Sequence, residues 1–185
     1  LVSGTGVINT GSISGSSLKL SLQNSLASGP VTIGGNLNVN QLETFAGNYS
    51  VALTGTSNIV SSVSPTVFNN LGTVTFGDSS TDSTTFTKGL TSNSSMNLGN
   101  VTLSQNATIK TGSGVANIAS LTDGVNSFKI SLQDSTSSST GLIQFNGNVS
   151  VNQIETFAQN YSVSLLGSSV IVDSASVFNN TGTNT

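Results

Sequence analysis

Positions 39–60 read VNQLETFAGNYSVALTGTSNIV, and positions 151–172 read VNQIETFAQNYSVSLLGSSVIV. Of the 22 paired positions 16 are identical, and self-similarity at a fixed period marks an architecture made by stacking one unit on the next. The match extends outward in both directions. Upstream, SLKLSLQ at 17–23 pairs with SFKISLQ at 127–133; downstream, FNNLGT at 68–73 pairs with FNNTGT at 178–183. A fainter echo links GTGV at 4–7 to GSGV at 112–115. The offset drifts only between 108 and 112, and the slack falls in turn-rich stretches at 25–35 and 61–65, where insertions are tolerated. The unit is therefore about 110 residues long. Residues 1–111 form one unit and 112–185 an incomplete second, with no counterpart of 74–111. Such a chain reads as a segment of a longer array, the two units lying in one continuous stack.

Inside the unit, apolar residues alternate in short bursts: Leu18-Lys19-Leu20-Ser21-Leu22, Val51-Ala52-Leu53, Val74-Thr75-Phe76 and Phe128-Lys129-Ile130-Ser131-Leu132. A period of two buries one side-chain face and solvates the other, which is the strand signature. Turn formers punctuate the bursts, among them Gly34-Gly35, Asn69-Asn70, Gly77-Asp78, Asp123-Gly124 and Gly147-Asn148. Good helix formers are scarce, and only 41–48 and 153–160 could make a helical turn or two. The chain is all-β.

A sandwich, an antiparallel barrel and a solenoid all suit many short strands. Against a string of sandwich domains stand the unbroken apolar pattern through 108–121, the absence of Trp, and a charge content of only 6%. A parallel β-solenoid explains all three. Each of its strands is paired above and below, and uncharged turn residues can stack as Asn or Ser/Thr ladders where repeated like charges would repel. Asn48 and Asn160, and Asn69-Asn70 and Asn179-Asn180, suit such ladders. With coils of roughly 20 residues, one unit holds five or six coils and the chain about nine, ~40 Å of rod at the inter-strand spacing.

Composition narrows function. Val, Leu, Ile and Phe make roughly 29% of the chain, above the ~20% below which chains are usually disordered. There are four Lys, seven acidic residues, no Arg and no His. A net charge of −3 without a basic cluster argues against nucleic acid, and no Trp with only two Tyr argues against base stacking. Without Cys, neither disulfides nor thiolate chemistry is available. No apolar run approaches a membrane span, and the first residues do not resemble a signal peptide.

The stretch Phe68-Asn69-Asn70-Leu71-Gly72-Thr73-Val74-Thr75-Phe76-Gly77-Asp78, followed by Thr85-Phe86-Thr87-Lys88-Gly89-Leu90-Thr91 and Val101-Thr102-Leu103, resembles the filamentous-haemagglutinin-like and autotransporter-like repeat exoproteins of bacteria. The resemblance covers essentially the whole chain through degenerate, compositional motifs. It implies a right-handed parallel β-helix, exported to the cell surface or the extracellular space, acting as an adhesin or structural component. It carries no catalytic or binding signature.

The residues themselves offer little chemistry. Glu43 and Glu155 are the only glutamates; one repeat apart, ~25 Å by strand spacing, they cannot form the ~5–10 Å pair a glycosidase needs. They read instead as turn or short-helix acids, capping or pairing with Lys19 and Lys129 respectively. Asp78 and Asp82 could offer oxygens to calcium, but the stretch lacks EF-hand or nonapeptide spacing and reads as an acidic turn. Ser16-Ser17-Leu18-Lys19 is the nearest approach to a Ser–Lys nucleophile pair, and strand alternation puts Lys19 at a solvated or edge position. Seven Asn-x-Ser/Thr sequons, at Asn48, Asn93, Asn100, Asn106, Asn148, Asn160 and Asn179, match what composition alone would generate. The Thr73/Thr75 and Thr85/Thr87 pairs are local, unlike an ice-binding array.

No catalytic, cofactor-binding or metal residue is therefore assigned, and no cofactor. The expectation is a non-enzymatic structural or adhesive segment of a large exported surface protein. Its partners would be neighbouring repeats, identical chains, or surface glycans and proteins. A self-assembling extracellular filament or sheath subunit is the alternative, and a carbohydrate-binding or carbohydrate-active β-helix ranks below both.

Overall fold

The computed structural model describes residues 1–92, 94–136 and 138–185; the Asn93 sequon lies outside them. The alternating bursts become short strands, all paired in parallel, and the chain returns to the same face about 22 residues later. This is a β-solenoid, and no helix occurs among the described residues. On the first face the register runs Ile8↔Val31↔Val51↔Val74↔Met96↔Ala116↔Ile143↔Val163, and a last bridge joins Val163 to Asn184. These eight strands define seven turns, ~34 Å at the strand spacing.

The second face stacks the leading parts of Ile13–Leu22 and Leu37–Thr44 with Ser57–Val60 and Ser83–Phe86. It continues through the trailing parts of Met96–Thr102 and Val115–Thr122 to Val149–Val151 and Val170–Val172. A third face stacks 19–22 on 41–44, which contacts without ladder pairing the next strand, Thr66–Phe68; from there a five-stranded ladder runs through Gly89–Ser92, Ala107–Lys110, Lys129–Leu132 and Gln153–Thr156. Met96–Thr102 shows how faces join. Its first half pairs with Val74–Phe76 and its second with Ser83–Phe86, so one strand bends around a corner.

One repeat is five coils, within the expected five or six, since five register steps carry Val51 to Val163. Two details differ from the sequence reading. The turns number about seven rather than nine, because the register intervals range from 17 (Ser83↔Asn100) to 28 (Leu121↔Val149) instead of holding near 20. Finally, 41–48 and 153–160 form no helical turn. Leu37–Thr44 and Gln153–Thr156 are strands that end in a corner, because pairing with neighbouring coils outweighs the local propensity of Gln-Leu-Glu-Thr.

The core is the column of inward residues. Leu22, Val31, Ile33, Val51, Leu53, Val74, Phe76, Met96, Ile118, Ile130, Ile143 and Phe145 are essentially excluded from solvent. Burying each larger side chain stabilises the fold by about 1.5–3 kcal/mol before conformational entropy opposes it. Phe68, Phe76 and Phe86 form an aromatic column with ring centroids 5.4 and 5.0 Å apart, each edge-to-face.

Close stacking leaves no room for side chains at some corners. Gly89 has φ +83°, and a Cβ there would lie 2.0 Å from the Thr108 carbonyl oxygen. Gly89→Ala is expected to destabilise by about 2–4 kcal/mol, combining left-handed strain with overpacking. A urea titration followed by circular dichroism reads that loss as a lowered midpoint; an unchanged midpoint would show that the coils part freely at this corner.

Candidate functional site

The recurring polar residues that make side-chain contacts lie at the corners and on the third face, where they tie one coil to the next. Lys19 and Glu43 lie on adjacent strands, with Nζ and Oε1 3.0 Å apart, and the Ser21 hydroxyl donates to Glu43 Oε2 at 2.9 Å. The second copy repeats this set: Lys129 reaches Glu155 at 2.8 Å and Ser131 donates to it at 2.7 Å. Strand register places them, since Ser21 pairs with Glu43 and Ser131 with Glu155. Lys110 and Asp134 form a third ion pair, at 2.6 Å. The pairing expected for both glutamates is present. The two carboxylates lie five coils apart, ~24 Å at the strand spacing, too far to act on one bond.

At the end of the same strands sits a second set. Tyr49 and Tyr161 are fully buried. Each phenolic oxygen accepts the amide of the residue four before it, Phe45 or Phe157, and donates to a carbonyl one coil below, Leu22 or Leu132. Thr44 and Thr156 accept the amides of Asn69 and Asn179 from the coil above. Asn70 and Asn180 donate to the carbonyls of Tyr49 and Tyr161.

A third set was not visible in sequence. Gln23 and Gln133 hold left-handed backbones, φ 61° and 65°, and are buried. Gln23 Oε1 accepts the Ser3 amide, and its Nε2 donates to the Gly29 carbonyl. Gln133 Oε1 accepts the amides of Thr111 and Gly112, and its Nε2 donates to the Thr111 hydroxyl. This explains the faint echo at 4–7 and 112–115: each copy supplies the loop that its glutamine grips. The one available signal was that Gln follows Ser-Leu in both copies.

The expected Asn ladders are built differently. Asn69, Asn70, Asn179 and Asn180 bond to backbone rather than to one another, and Asn48 and Asn160 remain exposed at corner tips. True side-chain ladders occur elsewhere. Asn117 donates to Asn97 at 3.0 Å and Ser120 to Asn100 at 2.6 Å. The register also aligns Thr85, Thr102, Thr122 and Ser150 on the second face. Because their sequence intervals are 17, 20 and 28, no fixed period reveals them.

Asp82 serves the turn that carries it. Its Oδ2 accepts the amides of Asp78 and Ser79 at 2.8 and 2.9 Å. Among the described residues, no group of three or more His, Cys, Asp or Glu is placed to hold a metal ion. One surface groove is lined by Phe76, Leu98 and Ala119 together with Asp78, Asn97 and Asn117. Its accessible wall is mainly apolar, with a smaller polar share that includes one acid and no cation, so it offers no acid–base pair.

Electrostatics follows from these contacts. Hydrogen bonds from Lys19 and Ser21 hold the Glu43 carboxyl below its ordinary range, as those from Lys129 and Ser131 do for Glu155. The Asp78 and Ser79 amides do the same for Asp82. Burial pushes both Tyr49 and Tyr161 up. For the carboxylates the folded value is the lower one. Their contribution to stability is complete above the unfolded value near ~4 and is lost as the pH falls through the folded value. For the tyrosines it is complete below ~10 and is lost as the pH rises through the folded value. A plot of urea midpoint against pH should therefore be flat from about pH 6 to pH 9 and fall at both ends. Glu43→Gln with Glu155→Gln should shrink the acid limb; an unaltered limb would assign it to other groups.

Comparison with protein-family models, curated proteins and solved structures returns no match for this chain. The parallel solenoid is consistent with β-helix repeat proteins in general.

Proposed function

We propose that the chain is a structural and adhesive segment of a large exported surface repeat protein, mechanical rather than catalytic in role. The observation that carries this reading is what the two copies keep. Lys19/Lys129, Glu43/Glu155, Gln23/Gln133, Tyr49/Tyr161, Thr44/Thr156 and Asn70/Asn180 all fasten one coil to the next. Outer positions between them change character, as in the exposed Leu71/Thr181 and in half-buried Thr54 against exposed Leu166. A unit copied for its joints is a unit copied for length and stiffness. Specific contacts would then come from the variable outer surface, and the resemblance to exported repeat proteins supports a place outside the cell.

The test is location. Antibodies raised against the folded 185-residue chain should label intact cells of the producing organism, and brief external proteolysis should remove the label. Labelling that requires permeabilised cells would overturn the surface assignment.

A filament subunit is the second reading, because the strand edges of a parallel stack can pair with those of another chain. Sedimentation velocity separates the two: concentration-dependent polymers of the 185-residue chain support the filament, and a monomer at all concentrations supports the spacer.

A further inference from the structure

Asn146 and Gly147 form the one Asn-Gly step in the sequence. The fold fixes the glycine. Gly147 is not among the left-handed glycines, yet a Cβ there would run into the carbonyl oxygen of Ala119 on the coil below, an overlap that close packing does not absorb cheaply. The same kind of corner recurs at Gly35, Gly55 and Gly167, each blocked by main chain of the coil below. The residues before these three are Gly34, Thr54 and Leu166. Of the four corners, only the one at Gly147 has a side-chain carboxamide on the preceding residue.

Asn146 is exposed. Its backbone amide donates to the Ile118 carbonyl at 2.8 Å, which anchors the residue. Its Oδ1 accepts Gln144 Nε2 at 2.6 Å, which draws electron density from the carboxamide carbon. Among the described residues no acceptor takes the Gly147 amide. A nucleophile and an electrophile thus stand on adjacent residues, with no side chain on the glycine to crowd a closing ring. Comparable steps elsewhere are tied down. Asp123 is buried and accepts the Phe128 and Asn152 amides, while the Gly124 amide donates to the Thr122 hydroxyl. At Asn24-Ser25 and Asn126-Ser127 the asparagine side chains hold the Leu26 amide and the Asp123 carbonyl.

We propose that Asn146 is a self-modifying site, at which the rod converts a neutral carboxamide into a carboxylate as it ages. The Gly147 nitrogen attacks Asn146 Cγ. The N–Cγ bond forms, the Cγ–Nδ2 bond breaks, and ammonia leaves carrying the proton of the Gly147 amide. Solvent water then opens the cyclic imide. Attack at one carbonyl leaves aspartate; attack at the other leaves isoaspartate, with the main chain routed through the side-chain carbon. Asn146 lines the groove that Asp78 also lines. One acid there becomes two, with no cation among the lining residues, so the groove grows more negative with time. The inference stands on the geometry of this corner, independently of where the protein resides.

The test holds the folded 185-residue chain at mildly alkaline pH without denaturant and samples it by ion exchange and peptide mass spectrometry. Residue 146 should gain about 1 Da as the amide becomes an acid. It should do so at least about tenfold faster than Asn24 or Asn126, a barrier lower by ~1.4 kcal/mol. The rate should rise with pH, because the attacking amide must give up its proton. Asn146→Gln should leave the melting temperature within about 2 °C, as for an exposed position, and abolish the early acidic species. Early acidic species that persist in Asn146→Gln, or that map to another asparagine, would overturn the proposal. So would a residue 146 that reacts only once urea unfolds the chain, because the corner would then be shielding the step.

Discussion

Phe76→Ala is expected to lower the melting temperature by roughly 6–20 °C, from a loss of about 3–5 kcal/mol in a chain of this size. Phe76 is fully buried and sits between Phe68 and Phe86. Truncation removes its apolar area, opens a cavity and ends two edge-to-face contacts, each worth about 0.5–1.5 kcal/mol beyond burial. The backbone around it is paired on both sides, to Leu53 below and Leu98 above, so the coils cannot collapse inward to fill the gap. Differential scanning calorimetry measures the shift, and Phe76→Leu should recover more than half of it. A loss below about 1 kcal/mol would mean that the aromatic column contributes little beyond filling space.

Gln133→Leu should cost about 2–4 kcal/mol by a different route. Leucine matches the side chain in size but offers no acceptor, so the amides of Thr111 and Gly112 would lose the Gln133 Oε1 that both now share. Thr111 is fully buried, so water does not readily replace that acceptor. The backbone strain at φ 65° is common to both residues and cancels. Exchange rates of the Thr111 and Gly112 amides provide the local readout. If they rise while distant coils are unaffected, the glutamine is a latch; if the whole chain loosens equally, it is a nucleus for the rod. Gln133→Gly would relieve the left-handed strain yet still lose the bonds, so it should remain less stable than the parent.

These two positions mark the limits of reading the chain from sequence. Phe76 belongs to a Val-Thr-Phe alternation, and period-two burial is a local property that any pleated strand imposes; the solenoid followed from it and from the repeat. The Lys–Glu pairs were legible because both partners recur together. Gln133 was not, since a buried glutamine in a left-handed turn leaves no periodic trace and its partners lie 22 and 21 residues back in the chain. Tyr49 shows the same limit, for its carbonyl partner Leu22 lies 27 residues away. The misplaced helical turn at 41–48 has the complementary cause. Gln, Leu and Glu favour helix locally, but the strand gains a ladder on each side, and that non-local term decides.

Each turn of the solenoid adds only ~4.8 Å to the rod, yet its roughly 22 residues would span ~75 Å if drawn straight. Seven such turns hold about 500 Å of thread wound on a ~34 Å spool. A tether built this way is short and stiff under light load. Past its yield force it pays out one winding at a time, lengthening about fifteenfold per released turn while the windings that remain keep their grip.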